Sequence, residues 1–336
     1  MPIRNEAAHL RDSVAAVLAQ EYPHPFQICL AVGPSTVPGD TTEAIAAQLA
    51  AIDERIIVVP NPAGTTPAAL NAAIAALDPA TSEVLVRVDG HATLGEGYIT
   101  QAVRTLQATG AVNVGGRKDA VGETAFEQAV AVAMTSRFGT GGSRFHVGGE
   151  AGPVDSVPFG VFRRSALEAV GGFDERLIRN QDYELNIRLR NAGGTIWFDP
   201  QLRFVYRPRA SLRALARQYW QYGWWKAIVA RQHPGSLKAR QIIPALATAA
   251  LAVDATGLGG RLLGGRLLST RVRRPVLFAY VLAVIAAAVT EGVKHRSAML
   301  TLRLCVIYPV MHLSWGGGFI ASMTAMLLGR NQATRR

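Results

Sequence analysis

Cysteine and acid are what this chain has least of. Among 336 residues there are 2 cysteines, Cys29 in an apolar run that reads as a strand and Cys305 in one that reads as a helix. Neither has metal-ligand spacing and no disulfide framework is evident, so both are expected to be plain core residues. Acid runs out beyond residue 200. Residues 1–200 hold 15 Lys+Arg and 22 Asp+Glu, net −7, whereas residues 201–336 hold 20 and 2, net +18. No apolar leader opens the chain, which begins MPIRNEAAHLRDS, so the acidic part is expected to stay in the cytosol. No G-x-G-x-x-G follows the early strands, which argues against a dehydrogenase. No zinc-finger spacing, RNP motif or basic heptad accompanies the positive charge, so no nucleic acid is expected. The basic part is expected to face anionic lipid or phosphate.

What is present is an alternation. FQICLAV (26–32), RIIVV (55–59) and the run at 83–88 read as strands. Residues 6–20, with Leu10, Val14, Val17 and Leu18 at helical spacing, read as a helix, as do 41–51, 66–77 and 95–108. Strand 111–115 follows. Strands alternating with helices predict a mainly parallel α/β sheet. The start is odd, because Met1-Pro2 leads almost directly into helix 6–20: either the first strand is vestigial or the true start lies upstream. From 116 to 160 glycines are frequent, which predicts mobile loops beside a site. A helix at 164–170 stops at Gly171-Gly172. The next, in QDYELNIRLRN, has Leu185 and Leu189 on one face and stops at Gly193-Gly194. TIWF and QLRFVY close this part near residue 206.

The remainder differs in kind. Residues 211–234 form a long helix pattern with a Ser cap, a Pro stop, basic flanks and the aromatics Tyr219, Trp220, Tyr222, Trp224 and Trp225. That combination suits a helix lying at a membrane interface, and an ordinary docking helix is the alternative. Three apolar segments follow, 242–258, 275–290 and 304–328, the last interrupted by His312. Five arginines (261, 266, 271, 273, 274) lie between the first and second. The positive-inside rule puts them in the cytosol, which makes 242–258 re-entrant or interfacial. Segments 275–293 and 304–328 then form an out-and-back hairpin that returns Arg330, Arg335 and Arg336 to the cytosol.

The strand at 83–88 ends on Asp89-Gly90-His91. A carboxylate and an imidazole at i and i+2 point to the same side of an extended chain, and the carboxyl edge of an open α/β sheet is where such folds bind ligands. Oxygen plus imidazole nitrogen suits Mn²⁺ and, less well, Mg²⁺, and an ion there would neutralise a diphosphate leaving group. The plain alternative is a turn after a strand. The glycine is expected to let a ligand approach the backbone.

Five stretches, PIRNE (2–6), NPAGTTPAALNAAI (61–74), VRVDGHA (86–92), GVFRRSALEAVGGFDE (160–175) and QDYELNIRLRNAGG (181–194), occur in the order and spacing of a known family. Over roughly residues 1–230 the chain resembles family 2 of the inverting glycosyltransferases with the GT-A fold. It is nearest to the succinoglycan-type membrane-associated β-glucosyltransferases. The resemblance implies an α/β nucleotide-sugar-binding mixed sheet in 1–206, an interfacial helix region in 207–240 and membrane-associated helices in 241–336. It implies that Asp89 and His91 match the D-x-D metal motif and that Asp182 matches the general base, with Gln181 where Glu is usual. Pro2, Asn5 and Glu6 match the nucleotide-side loop. Gly33 and Pro34 replace acidic residues that contact uridine in many members, leaving Asp40. Trp224 stands where processive members have Arg in Q-x-x-R-W, so transfer of a single sugar is expected.

The expected donor-side residues are therefore Pro2, Asn5, Glu6, Asp40, Arg87 and Asp89. Gln181, Trp224 and Arg217 are expected on the acceptor side, with His146 and Glu150 as loop candidates. Arg87 has a structural ion pair as its alternative. The implied partners are a nucleotide sugar, a lipid-linked acceptor and the inner (plasma) membrane, with a divalent metal as cofactor. Two other readings stay open. One is a polyprenyl-phosphate sugar synthase, with Arg207, Arg209 and Arg213 holding the phosphate. The other is a non-catalytic membrane scaffold on the same fold.

Overall fold

A computed structural model describes residues 1–256 and 270–329. The chain divides into two compact units: Met1–Asp119 with Arg144–Tyr206, and Ala120–Ser143 with Arg207–Arg336.

In the first unit, β1 (Pro2–Ile3), β2 (Ile28–Val32) and β3 (Ile56–Pro60) pair in parallel, in the order β1-β2-β3. Pro2 faces Ala31 and Ile3 faces Val32, so the first strand is present but only two residues long. β2 is apolar throughout and nearly all buried, as a strand covered on both faces must be, whereas β3 alternates buried and exposed residues and ends on Pro60. Helix α1 (Leu10–Leu18) is shorter than the pattern at 6–20 predicts. Asn5 takes a left-handed φ of 57° and the Glu6 carbonyl accepts from His9 and Leu10 N–H, so the chain turns before it coils. α2 (Thr42–Ile52) and α3 (Thr66–Ala76) are the expected crossovers.

The second sheet departs from a parallel expectation. β4 (Val84–Val86), β5 (Thr93–Leu94), β6 (Asn113–Ala120), β8 (Val161–Arg163) and β9 (Ile196–Tyr206) run in the order β4-β8-β6-β9-β5, and β7 (Gly152–Pro153) pairs with β9. Their pairings are antiparallel, which makes the architecture mixed. The two segments TIWF and QLRFVY are one strand, β9, which runs through Pro200. The Asp199 carboxylate accepts from Gln201 N, Thr105 Oγ1 and Gln101 Nε2 beside that proline. One apolar cluster joins α1, β2, α4 (Tyr98–Thr109) and the second sheet through Leu10, Val14, Leu30, Leu106, Val161 and Phe204. Cys29 is a buried free thiol, as expected, and burial pushes it up from its ordinary value.

The region 116–160 is not the run of loops its glycines suggest. It holds the end of β6, helices α5 (Ala125–Thr135), α6 (Arg137–Thr140) and α7 (Arg144–Val147), and β7. α5 starts with a full capping box: the Thr124 side chain accepts from Glu127 N and the Glu127 carboxylate from Thr124 N. The expected boundaries place 120–143 in the first part of the chain, but these residues group with the C-terminal helices because α5 packs against the last of them.

The first unit also holds α8 (Arg164–Ala169) and α9 (Gln181–Asn191); among the described residues the second consists of α5, α6, α10 (Leu212–Gln232), α11 (Ala239–Thr256), α12 (Thr270–Lys294) and α13 (Ala298–Leu327). α10, α11 and α12 all pack on α13. A Cβ on Gly223 would fall 1.9 Å from the Trp315 carbonyl oxygen, so α10 and α13 pack backbone against backbone there. Tyr219 and Trp225 are buried while Arg213, Arg217 and Trp220 stay exposed. α10 is thus a docked helix whose apolar face is spent on α13, rather than one presenting all its aromatics to an interface. His312 does not interrupt α13: its Nε2 lies 2.9 Å from Phe138 O and its Nδ1 3.3 Å from Tyr280 Oη. Tyr308 Oη donates to Ser136 Oγ beside it. Leu277–Lys294 and Ala298–Leu327 are long and apolar enough to cross a membrane, with mean hydropathy 1.7 and 1.4. The apolar stretch before them, Gln241–Val253, is too short. Arginines 261, 266, 330, 335 and 336 lie outside the described residues.

Candidate active site

The strand that ends in Asp89 lies beside β8, and its backbone pairing continues as far as Arg87 N→Gly160 O. The chain then turns instead of extending. Ala92 N donates to Asp89 O at 2.9 Å, which closes a turn across Gly90 and His91. Ser13 of α1 fixes that turn, its hydroxyl 2.7 Å from Ala92 O and 3.2 Å from Asp89 O. The same-side rule for i and i+2 holds only for extended chain, so it does not apply here, and Asp89 and His91 take separate partners. Gly90 is needed for the protein's own packing: a Cβ there would lie 2.8 Å from Ile3 Cγ2 and 3.0 Å from Glu6 Cγ. The space expected for a ligand is filled by the end of β1.

Arg87 organises the charges. Its Nη2 and Nε donate to Asp89 Oδ1 at 2.9 and 3.1 Å, and its Nη1 donates to Asp182 Oδ1. The guanidinium is buried, whereas the side chains of Asp89 and Asp182 are 21% and 24% exposed, so the carboxylates form the open rim of a closed base. Burial alone would lower the Arg87 guanidinium, but Asp182 and Asp89 carry it above its ordinary value, and it stays charged. For Asp182, burial pushes the carboxyl up, Arg87 pulls it back, Asp89 adds to the rise, and the net direction is upward. Asp182 is the second residue of α9, whose N-terminal dipole favours a negative charge. Asn180, just before it, sits at φ 61°.

The expected nucleotide-side residues form a second connected group. His91 Nδ1 lies 2.8 Å from Glu6 Oε1, tying the metal-motif imidazole to the loop after β1. Glu6 N donates to Thr42 Oγ1, and that hydroxyl donates to Asp40 Oδ1, so Asp40 supports the loop through Thr42 and makes no cap to α2. Asn5 accepts from Ser35 Oγ and Thr36 N and donates to Thr36 Oγ1, which pins the loop after β2. Pro2 is simply paired in β1. Three polar atoms at the carboxyl tips of β1 and β3, Arg4 Nε, Asn61 Oδ1 and Thr65 Oγ1, are buried without a hydrogen-bond partner. An unmade bond of this kind costs about 1–3 kcal/mol, which marks a place prepared for a ligand or water. Asn61 and Arg4 were not singled out in the sequence, although each is the residue that follows a strand at the carboxyl edge, and that position is the signal.

Gln181 is buried at the start of α9, next to Asp182. Arg217 and Trp224 belong to α10, in the other unit. Glu150 is exposed, and its carbonyl accepts from Arg144. Burial and the charge of Lys118 hold His146 well below its ordinary value, so it is neutral at pH 7.

No group of three or more His, Cys, Asp or Glu side chains is arranged to hold a metal among the described residues. Asp89 and His91 offer one carboxylate and one imidazole on a single short turn. That fits a cation which takes the rest of its shell from water and substrate phosphate, as Mn²⁺ and Mg²⁺ do.

Comparison with known proteins identifies the family and the fold. The profile of Glycosyl transferase family 2 matches residues 1–171. Succinoglycan biosynthesis protein ExoA of Rhizobium meliloti (strain 1021) is 36% identical over 255 residues, 76% of this chain and 76% of that protein. The solved mannosyltransferase PcManGT of Pyrobaculum calidifontis, in complex with GDP-Man and Mn²⁺, superposes with a TM-score of 0.57 over 98% of this chain and 86% of its own, at 16% identity. The mixed α/β sheet is thus a GT-A fold, and the residues gathered around Arg87 lie in a nucleotide-sugar glycosyltransferase: the chain belongs to glycosyl transferase family 2.

Proposed function

We propose that the protein is an inverting, metal-dependent hexosyltransferase that moves one sugar from a nucleotide-sugar donor to a lipid-linked saccharide at the cytosolic face of the inner membrane. A uridine diphosphate hexose is the first donor to test, and cell-surface polysaccharide or glycolipid synthesis is the setting. The observation that carries the reading is the bridge through Arg87, which sets a donor-side carboxylate, Asp89, beside an acceptor-side one, Asp182. The name of the 36% identical relative, a succinoglycan biosynthesis protein, supports the polysaccharide setting, and the Mn²⁺ in the mannosyltransferase complex supports the metal. The two apolar helices α12 and α13, joined by a tight loop that Ser297 caps, support a hairpin anchor.

Inversion requires in-line attack by an acceptor hydroxyl, with a base within hydrogen-bond reach of it. Asp182, partly exposed at the first turn of α9, takes that proton. Its raised carboxyl is a stronger base than an ordinary aspartate. Asp89 and His91 would hold a divalent cation, which would supply positive charge to the departing diphosphate. Asn5 and Glu6 shape the nucleotide side by fixing the loops after β1 and β2. In the polyprenyl-phosphate variant of this reading, the acceptor oxygen is already anionic and needs no base.

The test is a screen of nucleotide sugars with Mn²⁺ and a membrane lipid extract, read as nucleoside diphosphate release. Calorimetry of UDP and GDP binding with and without Mn²⁺ runs beside it. Release with one donor and Mn²⁺-dependent binding are expected. Binding without release from any donor would favour a scaffold, and neither would reject the reading.

A further inference from the structure

Arg87 is shared between two sides of one reaction, and its surroundings are built to keep it there. Its backbone N–H pairs with Gly160 O, and the Phe159 ring lies 5.5 Å from the guanidinium carbon. Phe159 is buried and holds a left-handed φ of 47°, a conformation that costs a bulky residue about 1–3 kcal/mol. Tyr98, buried in the core, donates to the Phe159 carbonyl. A strained aromatic therefore backs the arginine, and among the described residues its side-chain nitrogens bond the two carboxylates. Both bonds to Asp89 go to Oδ1.

We infer that Arg87 is a positioning residue that acts through Asp182: it sets the base at a fixed distance from the donor-side carboxylate and does not itself bind the donor diphosphate. The inference rests on the glycosyltransferase reading above. A guanidinium presents several donors in one rigid plane, so it can hold two carboxylates at once, whereas an ammonium is a single point of charge. Without the arginine, Asp182 keeps its place on α9 but loses its aim, and Asp89 gains a second free oxygen for the cation.

The experiment uses the full chain in detergent and five proteins: wild type, Arg87→Met, Arg87→Lys, Asp182→Asn, and Arg87→Met combined with Asp182→Asn. Sugar transfer is read as nucleoside diphosphate release per folded molecule, and UDP binding with Mn²⁺ by calorimetry. Arg87→Met is expected to lower kcat about 100-fold while the donor KM and the UDP–Mn²⁺ affinity stay within about threefold or tighten, since a small loss of alignment is that costly. Arg87→Lys, which keeps the buried charge and so guards against misfolding, is expected to stay at least about tenfold down. The double variant should transfer no more slowly than Asp182→Asn alone, because both changes disable the same group. UDP affinity lost tenfold with kcat kept would make Arg87 a diphosphate ligand and overturn the inference. So would full activity in Arg87→Lys, or losses that multiply in the double variant, as a structural role predicts. A wild type that transfers nothing would instead reject the underlying glycosyltransferase reading.

Discussion

Two regions bury polar side chains, and they do it in opposite ways. At the end of β4 the groups are charged: one buried arginine balances two carboxylates at the rim. Around α13 the bonds run between hydroxyl, imidazole and carbonyl groups, Tyr308 to Ser136 and His312 between Phe138 and Tyr280. Removing one partner of a buried ion pair leaves an uncompensated charge, a cost of about 3–5 kcal/mol, whereas losing one neutral bond costs about 1–3 kcal/mol. The first arrangement can be redirected by a cation or an anionic substrate. The second can only hold helices together, and it suits a helix whose outer face is apolar.

Substitutions at the charged region should have the largest effects. Asp89→Ala removes the proposed metal ligand and unbalances Arg87, and is expected to lower sugar transfer by about 10²–10³ and abolish the Mn²⁺ dependence of UDP binding, read by calorimetry. Gly90→Val should push Ile3 and Glu6 away from the turn and reduce transfer about tenfold to 100-fold through misplacement alone, with secondary structure kept in circular dichroism. In the neutral region, Tyr308→Phe is expected to cost about 1 kcal/mol in thermal unfolding and to leave transfer per folded molecule unchanged. If it reduced transfer as strongly as Gly90→Val, the distinction between the two regions would fail.

The smallest expected effect concerns His146. Its folded value is depressed, so the folded state stays neutral where the unfolded chain takes up a proton. The stability this provides is present above the ordinary histidine value of 6.5 and is lost as pH falls below it. His146→Phe should flatten that acid-side decline in a melting-temperature series between about pH 7 and 5. An unchanged slope would mean that His146 is not the group responsible.

Much of the first sheet could be read from local pattern, because β2 is an unbroken apolar run and α2 and α3 have clear helical spacing. The helix α5 was equally legible and was masked by the glycines around it: the T-x-x-E box at Thr124 and Glu127 is its start signal. The second sheet was harder, since its antiparallel partners come from distant segments and carry no local mark of direction. The site divides the same way. Asp89 and His91 stand out where an apolar strand ends, but their geometry depends on Ser13 of α1, which closes the turn from another element. The meeting of Arg87 with Asp182 is a tertiary event, and only the family resemblance joined the carboxylates of Asp89 and Asp182 beforehand. For α10, the aromatic content pointed to an interface, and Gly223, the residue that lets it dock on α13, was the overlooked clue.

The most direct measurement is Asp182→Asn in the full chain, followed by initial rates of sugar transfer and by UDP–Mn²⁺ affinity on the same preparation. The account requires a fall in rate of about 10²–10⁴ per folded molecule with UDP–Mn²⁺ affinity nearly unchanged. A variant that turns over as fast as the parent would contradict it, and a loss below about tenfold would move the acceptor to an already anionic phosphate.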